Sequence, residues 1–131
     1  MLQLEIERLE DFRSGEASFP SVRLTKDTII DLFPRKMWQG TVESGKGRMN
    51  LNHFCLAMTK KEWEELRERL NRAGVPIITG PVPRWGAHGN GISIYFQDPD
   101  GNTVEARYYE AGEANSPMLQ GSLRWLVKAK G

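Results

Sequence analysis

Hydrophobic and polar residues alternate from the start of the chain: Leu2, Leu4 and Ile6 are interleaved with Gln3, Glu5 and Glu7, the period of a strand with one wet face. The run LQLEIERLEDF gives way to Ser14-Gly15, FPSVRL to Lys26-Asp27, and TIIDLF ends the segment, so residues 1–33 are expected to form a three-stranded meander. Residues 34–50 contain Pro34 and three glycines and hold no period, which reads as a long crossover. A strand is expected at LNHFCLAM, residues 51–58, followed by a helix in TKKEWEELRERLNRAG. There Thr59 and Glu62 have capping-box spacing, and Trp63, Leu66 and Leu70 form an apolar stripe. Glu65/Arg69 and Glu68/Arg72 are i,i+4 pairs, and Gly74 with Pro76 ends the helix. VPIITGPV, GISIYFQ and NTVEARYY read as three more strands, with DPDG at 98–101 as the turn before the last. The order from residue 51 is therefore strand, helix, three strands. The first part resembles the same unit without its opening strand and helix. In the tail, 111–131, Leu123, Trp125 and Val127 fit a strand while Leu119, Leu123 and Leu126 fit a helix, and periodicity does not choose between them.

Alternation also assigns faces. Leu51, His53, Cys55 and Ala57 share one face of the strand. Phe54 and Leu56, on the other, match the helix stripe. On 103–109, Val104, Ala106 and Tyr108 should meet the helix, which turns Glu105 to the face carrying His53. An imidazole and a carboxylate on one sheet surface suit a divalent metal. Spacing alone equally allows a hydrogen-bonded, semi-buried histidine and a solvated carboxylate paired with Arg107.

Composition narrows the classes. With 131 residues and 39% hydrophobic positions, one domain with a real core is expected. Eighteen basic residues against seventeen acidic give a formal charge of +1, so no overall field favours nucleic acid or an anionic membrane surface. No stretch approaches the roughly 20 apolar residues of a bilayer span. Cys55 is the only cysteine, which excludes an intrachain disulfide. The first twenty residues carry charges throughout, so a reducing, cytoplasmic compartment is expected.

The segments LNHF, GPVPRWGAHG and SIYFQDPDGNTVE, in one order with the helix between them, resemble the glyoxalase / bleomycin-resistance / extradiol-dioxygenase superfamily, the vicinal oxygen chelate proteins, over about residues 1–110. The resemblance implies an α+β fold of paired βαβββ modules forming a cupped mixed sheet. The first module would be truncated to three strands (1–33), with a crossover at 34–50, a complete second module at 51–110 and a tail at 111–131. It implies a divalent metal (Zn, Ni, Mn, Co or Fe) held by His53 from the first strand of the second module and Glu105 from its last, with Asp31 on TIIDLF as third ligand. The family's remaining ligand lies on an opening strand that this sequence does not contain. A partner chain, the tail, or a longer natural protein could complete the module, and a homodimer is expected because the incomplete module leaves a strand edge open.

Further candidates surround these. Arg84 can hold a carboxylate bidentately, Trp85 can wall a pocket, His88 sits in the glycine-rich RWGAHGNG, and Tyr95 alternates with Ile94 and Phe96 so as to share a face with Ser93. Each has an ordinary structural reading beside it. Cys55 lies two residues from His53 on the same face, but such neighbours point in parallel and make a poor nucleophile–base pair. The resemblance implies a metal-dependent glyoxalase-like protein acting on a small oxygenated molecule through a chelated enolate or oxyanion, with Glu105 moving a proton. The alternatives are a binding protein of the resistance type, a dioxygenase, for which only His53 and the distant His88 are at hand, and an inactive remnant.

Overall fold

The computed structural model describes residues 3–37 and 51–110; the remainder of the crossover and the tail lie outside the described residues. The chain has a mixed α+β fold with two sheets, of three and four strands, and divides into the units Met1–Asn50 and Leu51–Gly131.

The first unit contains β1 (Glu5–Glu7), α1 (Leu9–Ser14), β2 (Ser21–Thr25), β3 (Thr28–Asp31) and a 3-10 turn at Arg35–Met37. Its sheet is the expected antiparallel meander, in the order β1-β2-β3. The first run is not one strand, however. Arg8 takes a left-handed conformation (φ 58°) that breaks the extended backbone after Glu7, and a helical turn follows. Glu10 and Asp11 in its first turn and Arg13 in its last complement the helix dipole. Gly15 (φ 87°) closes it, donating its N–H to Phe12 O.

Ile6, Val22 and Ile30 lie in register across the three strands, and Ile6 and Ile30 are about half exposed (52% and 51%). The other face is polar. Arg23 grips both oxygens of Glu7, and the fully buried Ser21 donates its hydroxyl to Asp31 Oδ1.

The second unit runs β4 (Phe54–Ala57), α2 (Lys60–Arg72), β5 (Thr79–Gly86), β6 (Gly89–Gln97) and β7 (Thr103–Tyr108), with sheet order β4-β7-β6-β5. β4 pairs parallel to β7, and the other two pairings are antiparallel. The capping box forms as its spacing indicates. Thr59 Oγ1 accepts from Glu62 N, and the Glu62 carboxylate accepts from Thr59 N. At the far end Gly74 (φ 67°) lets the chain turn back, so that Val75 N reaches Leu70 O at 2.9 Å.

Trp63, Leu66 and Leu70 pack on Met58, Ile94, Phe96, Val104, Ala106 and Tyr108, with Leu56, Val75, Ile77 and Ile92 at the margin. The Trp63 indole N–H donates to Ala106 O at 3.0 Å, pinning the helix to β7. The predicted helix face of β7 is therefore correct. Phe54 is the exception on β4. It begins the strand and stays 39% exposed, while Leu56 and Met58 carry the contact.

Two boundaries move. Residues 75–78 are not strand, because Pro76 has no N–H for a ladder; Val75 and Ile77 instead cover the core edge, and Ile78 N reaches Tyr95 O at 2.8 Å. The glycine-rich stretch is not an open loop either. β5 continues to Gly86 and β6 starts at Gly89, which leaves Ala87 and His88 as a two-residue hairpin turn.

Candidate functional site

On the sheet surface away from α2, β7 presents Glu105 and Arg107, β6 presents Ser93 and Tyr95, and His53 stands immediately before β4. Strand alternation does the positioning: the alternate residues Val104, Ala106 and Tyr108 are locked into the core, so Glu105 and Arg107 are forced to the other side.

Glu105 is buried, 1% exposed, and both of its oxygens are engaged. His53 Nε2 lies 2.9 Å from Oε2, and Arg107 Nη2 donates to Oε1 at 2.6 Å. Arg107 is equally enclosed. Its Nε donates to Ser93 Oγ at 3.0 Å and its Nη1 to the Tyr109 hydroxyl at 3.3 Å. The far nitrogen of His53, Nδ1, sits 2.8 Å from Asn52 Oδ1. An amide oxygen only accepts, so this contact places a proton on Nδ1 and aims Nε2 at the carboxylate.

Burial pushes the Glu105 carboxyl up, but the His53 hydrogen bond, the Arg107 charge and the Ser93 and Arg107 hydrogen bonds outweigh it and hold the group at about 2. Burial likewise opposes the charge of Arg107, and the electrostatic pull of Cys55 and Glu105 together with Tyr109 keeps it above the ordinary arginine value. Tyr95 is pushed up to about 12 by burial and by the charge and hydrogen bonding of Glu105, against the pull of Arg84. It remains a phenol, an O–H donor, throughout the physiological range.

The remaining candidates separate. Arg84 pairs with Gly91 in the β5–β6 ladder and lies over the Tyr95 ring at 5.9 Å, on the surface of the site. The Tyr95 ring in turn meets His53 edge-on at 5.4 Å. Trp85 pairs with Asn90, one step out of phase with Arg84, so alternation turns it to the opposite face and it does not wall this site. His88, in the hairpin turn, contacts the Tyr109 ring edge-on at 5.3 Å and so touches the far end of the Arg107 network. Asp31 belongs to the first unit, where it accepts from Ser21. Among the described residues no three histidine, cysteine or carboxylate side chains form a metal-holding group; the second unit brings two together.

The pairing of Glu105 with Arg107 was foreseeable, its burial was not. The residue that sequence reasoning missed is Arg107 itself, as an organiser of the site. Its side chain crosses Gly91 and ends over Gly86. A Cβ at Gly86 would fall 1.4 Å from Arg107 Nη1, and one at Gly91 would fall 2.9 Å from its Cγ. Gly86 and Gly91 of RWGAHGNG form the floor of an arginine slot. Small residues on the neighbouring hairpin, opposite a long side chain two positions from Glu105, were the available signal.

The chain's likeness to curated proteins is local. A stretch of 38 residues is 53% identical to the virulence protein STM3117 of Salmonella typhimurium, and one of 46 residues is 39% identical to the glyoxalase domain-containing protein RDO1 of Mycosarcoma maydis. These stretches span 29% and 35% of this chain and 26% of each relative, so the chain matches about a quarter of the length of these curated proteins. Among solved structures, the Salmonella STM3117 crystal structure is 24% identical, covering 78% of this chain and 83% of that one with a TM-score of 0.39. A glyoxalase/bleomycin resistance protein/dioxygenase from Alicyclobacillus acidocaldarius is 19% identical, covering 76% and 80% with a TM-score of 0.41. The family model for the Glyoxalase/Bleomycin resistance protein/Dioxygenase superfamily matches residues 25–106, more than half of the chain, and to that superfamily the chain belongs.

Proposed function

We propose that this glyoxalase-like protein acts on a small oxygenated organic molecule with the help of a divalent metal held by His53 Nε2 and Glu105 Oε2. One observation carries the reading. His53 Nε2 lies 2.9 Å from a carboxylate oxygen while Nδ1 is engaged by Asn52, a separation spanned by the hydrogen bond that His53 donates to Glu105 or, in its place, by a metal ion. Two ligand atoms, each about 2.0–2.2 Å from one ion, can lie that far apart, so this donor pair fits Zn, Ni, Mn, Co or Fe.

When bound, the ion supplies Lewis-acid polarisation of two adjacent substrate oxygens. The chain's own groups do the rest. Asn52 fixes the His53 ring, the Tyr95 hydroxyl donates to a substrate oxygen, and Arg84 takes a substrate carboxylate. Glu105 is the group that holds or moves the proton, and because Arg107 takes Oε1, Oε2 is open to that proton only when it is not serving as a ligand. Its low value makes it a poor base while His53 and Arg107 both grip it, so its basicity rises only as those contacts loosen.

Metal analysis tests this directly. The protein loaded with each ion in turn and then dialysed is expected to retain about one equivalent of its preferred metal, and His53→Ala to lose it. No retention under any loading condition would remove the chelate mechanism. A second reading, a small-molecule-binding protein without catalysis, is favoured by one feature: Arg107 already compensates the buried Glu105 charge, so the site is stable without an ion.

The exposed register of Ile6 and Ile30 in the first unit supports self-association, the homodimer proposed here. Light scattering at high protein concentration is expected to report a species larger than the monomer; a pure monomer would count against it.

A further inference from the structure

The Arg107 guanidinium sits where a cation is least expected beside a metal ligand. A cation held against a carboxylate lowers its basicity and with it its strength as a donor to an ion. Here Oε1 of Glu105 is taken by a buried arginine at 2.6 Å, and Arg107 is itself fixed by Ser93, Tyr109 and the slot over Gly86 and Gly91. Two consequences follow from charge and geometry. Glu105 can offer an ion only Oε2, so it ligates through one oxygen. An incoming divalent ion also meets a carboxylate whose charge is already balanced, with a like charge one carboxylate away in a buried setting where screening is weak.

We propose that Arg107 is a positioning residue that makes Glu105 a one-oxygen ligand and holds down the affinity of the His53–Glu105 pair for divalent metals. This rests on the metal reading above. The opposing effect, loss of carboxylate order when the arginine is removed, is the smaller one, because His53 and the enclosing sheet still hold a side chain that is 1% exposed.

The test is Ni2+ titration calorimetry on the full chain, comparing wild type with Arg107→Met, Arg107→Lys and Gly86→Ala. Arg107→Met should bind Ni2+ at least about tenfold more tightly than wild type, a difference of about 1.4 kcal/mol. The gain should vanish in Arg107→Met/His53→Ala. Arg107→Lys keeps the charge and should stay within about threefold of wild type, an outcome that a purely structural role would not produce.

Gly86→Ala leaves Arg107 in place but evicts its Nη1, the far end of a flexible chain, and should shift affinity in the same direction as Arg107→Met. It decides the matter if Arg107→Met does not fold. Tight Ni2+ binding by wild type with no gain in either variant overturns the proposal and leaves the metal reading standing. No Ni2+ binding by any of the proteins overturns both. Measurable binding by wild type that tightens at least about tenfold in Arg107→Met supports both.

Discussion

Glu105→Leu is expected to cost about 3–5 kcal/mol of folding stability, because it strands the Arg107 guanidinium, 6% exposed, without its anion. Urea unfolding followed by far-UV circular dichroism reads the loss. The double variant Glu105→Leu/Arg107→Met removes both charges together and should recover most of it, so the cycle gives a large coupling energy. Equal losses in the single and double variants would mean that the ion pair contributes nothing beyond its packing.

The same pair sets a pH dependence. The folded value of Glu105, about 2, lies below its unfolded value of 4.5, so the folded state binds fewer protons than the unfolded state as pH falls between the two. This contribution is fully present above the unfolded value and fades as pH drops through that window. Glu105→Gln should show a flatter acid limb than wild type when the metal-free proteins are compared from pH 6 downward.

Trp63→Ala is expected to be comparably severe, at about 3–5 kcal/mol. The indole is 3% exposed, meets the Tyr108 ring edge-on at 4.9 Å, carries Arg67 over its face at 5.1 Å and bonds Ala106 O. Trp63→Phe keeps most of the apolar contact and loses the hydrogen bond, leaving the Ala106 carbonyl without that donor, so about 1–2 kcal/mol should suffice there. The same urea experiment separates the two, and a small effect of Trp63→Ala would show that α2 is only loosely docked.

Much of the second unit was legible because its signals were redundant. The capping box, the Trp63/Leu66/Leu70 stripe and Gly74 all marked the same helix, and period-2 alternation on β7 separated Glu105 from Val104 and Ala106 without any structure. The first unit was harder. Its opening alternation ends at Glu7, and nothing in the hydrophobic pattern announced the left-handed Arg8 that starts α1. Trp85 was read with the glycine-rich stretch, where no strand period assigned it a face; β5 continues through it, and alternation with Arg84 sets that face. Arg107 was underestimated for a different reason. An arginine two residues from a glutamate reads as a surface pair, and only the tertiary approach of Gly86 and Gly91 makes it a buried one.

The parallel pairing of β4 with β7 ties the site to the longest-range contact of its unit. Phe54 and Val104 have α2 and the β5–β6 hairpin between them in the sequence, so their pairing closes the largest chain loop in the second unit. His53 and Glu105 straddle that closure. Their meeting depends on that closure, and in the unfolded chain the pair does not exist as a ligand. Any ion held there is bound by the folded chain alone, and its binding free energy adds to the cohesion of the whole unit.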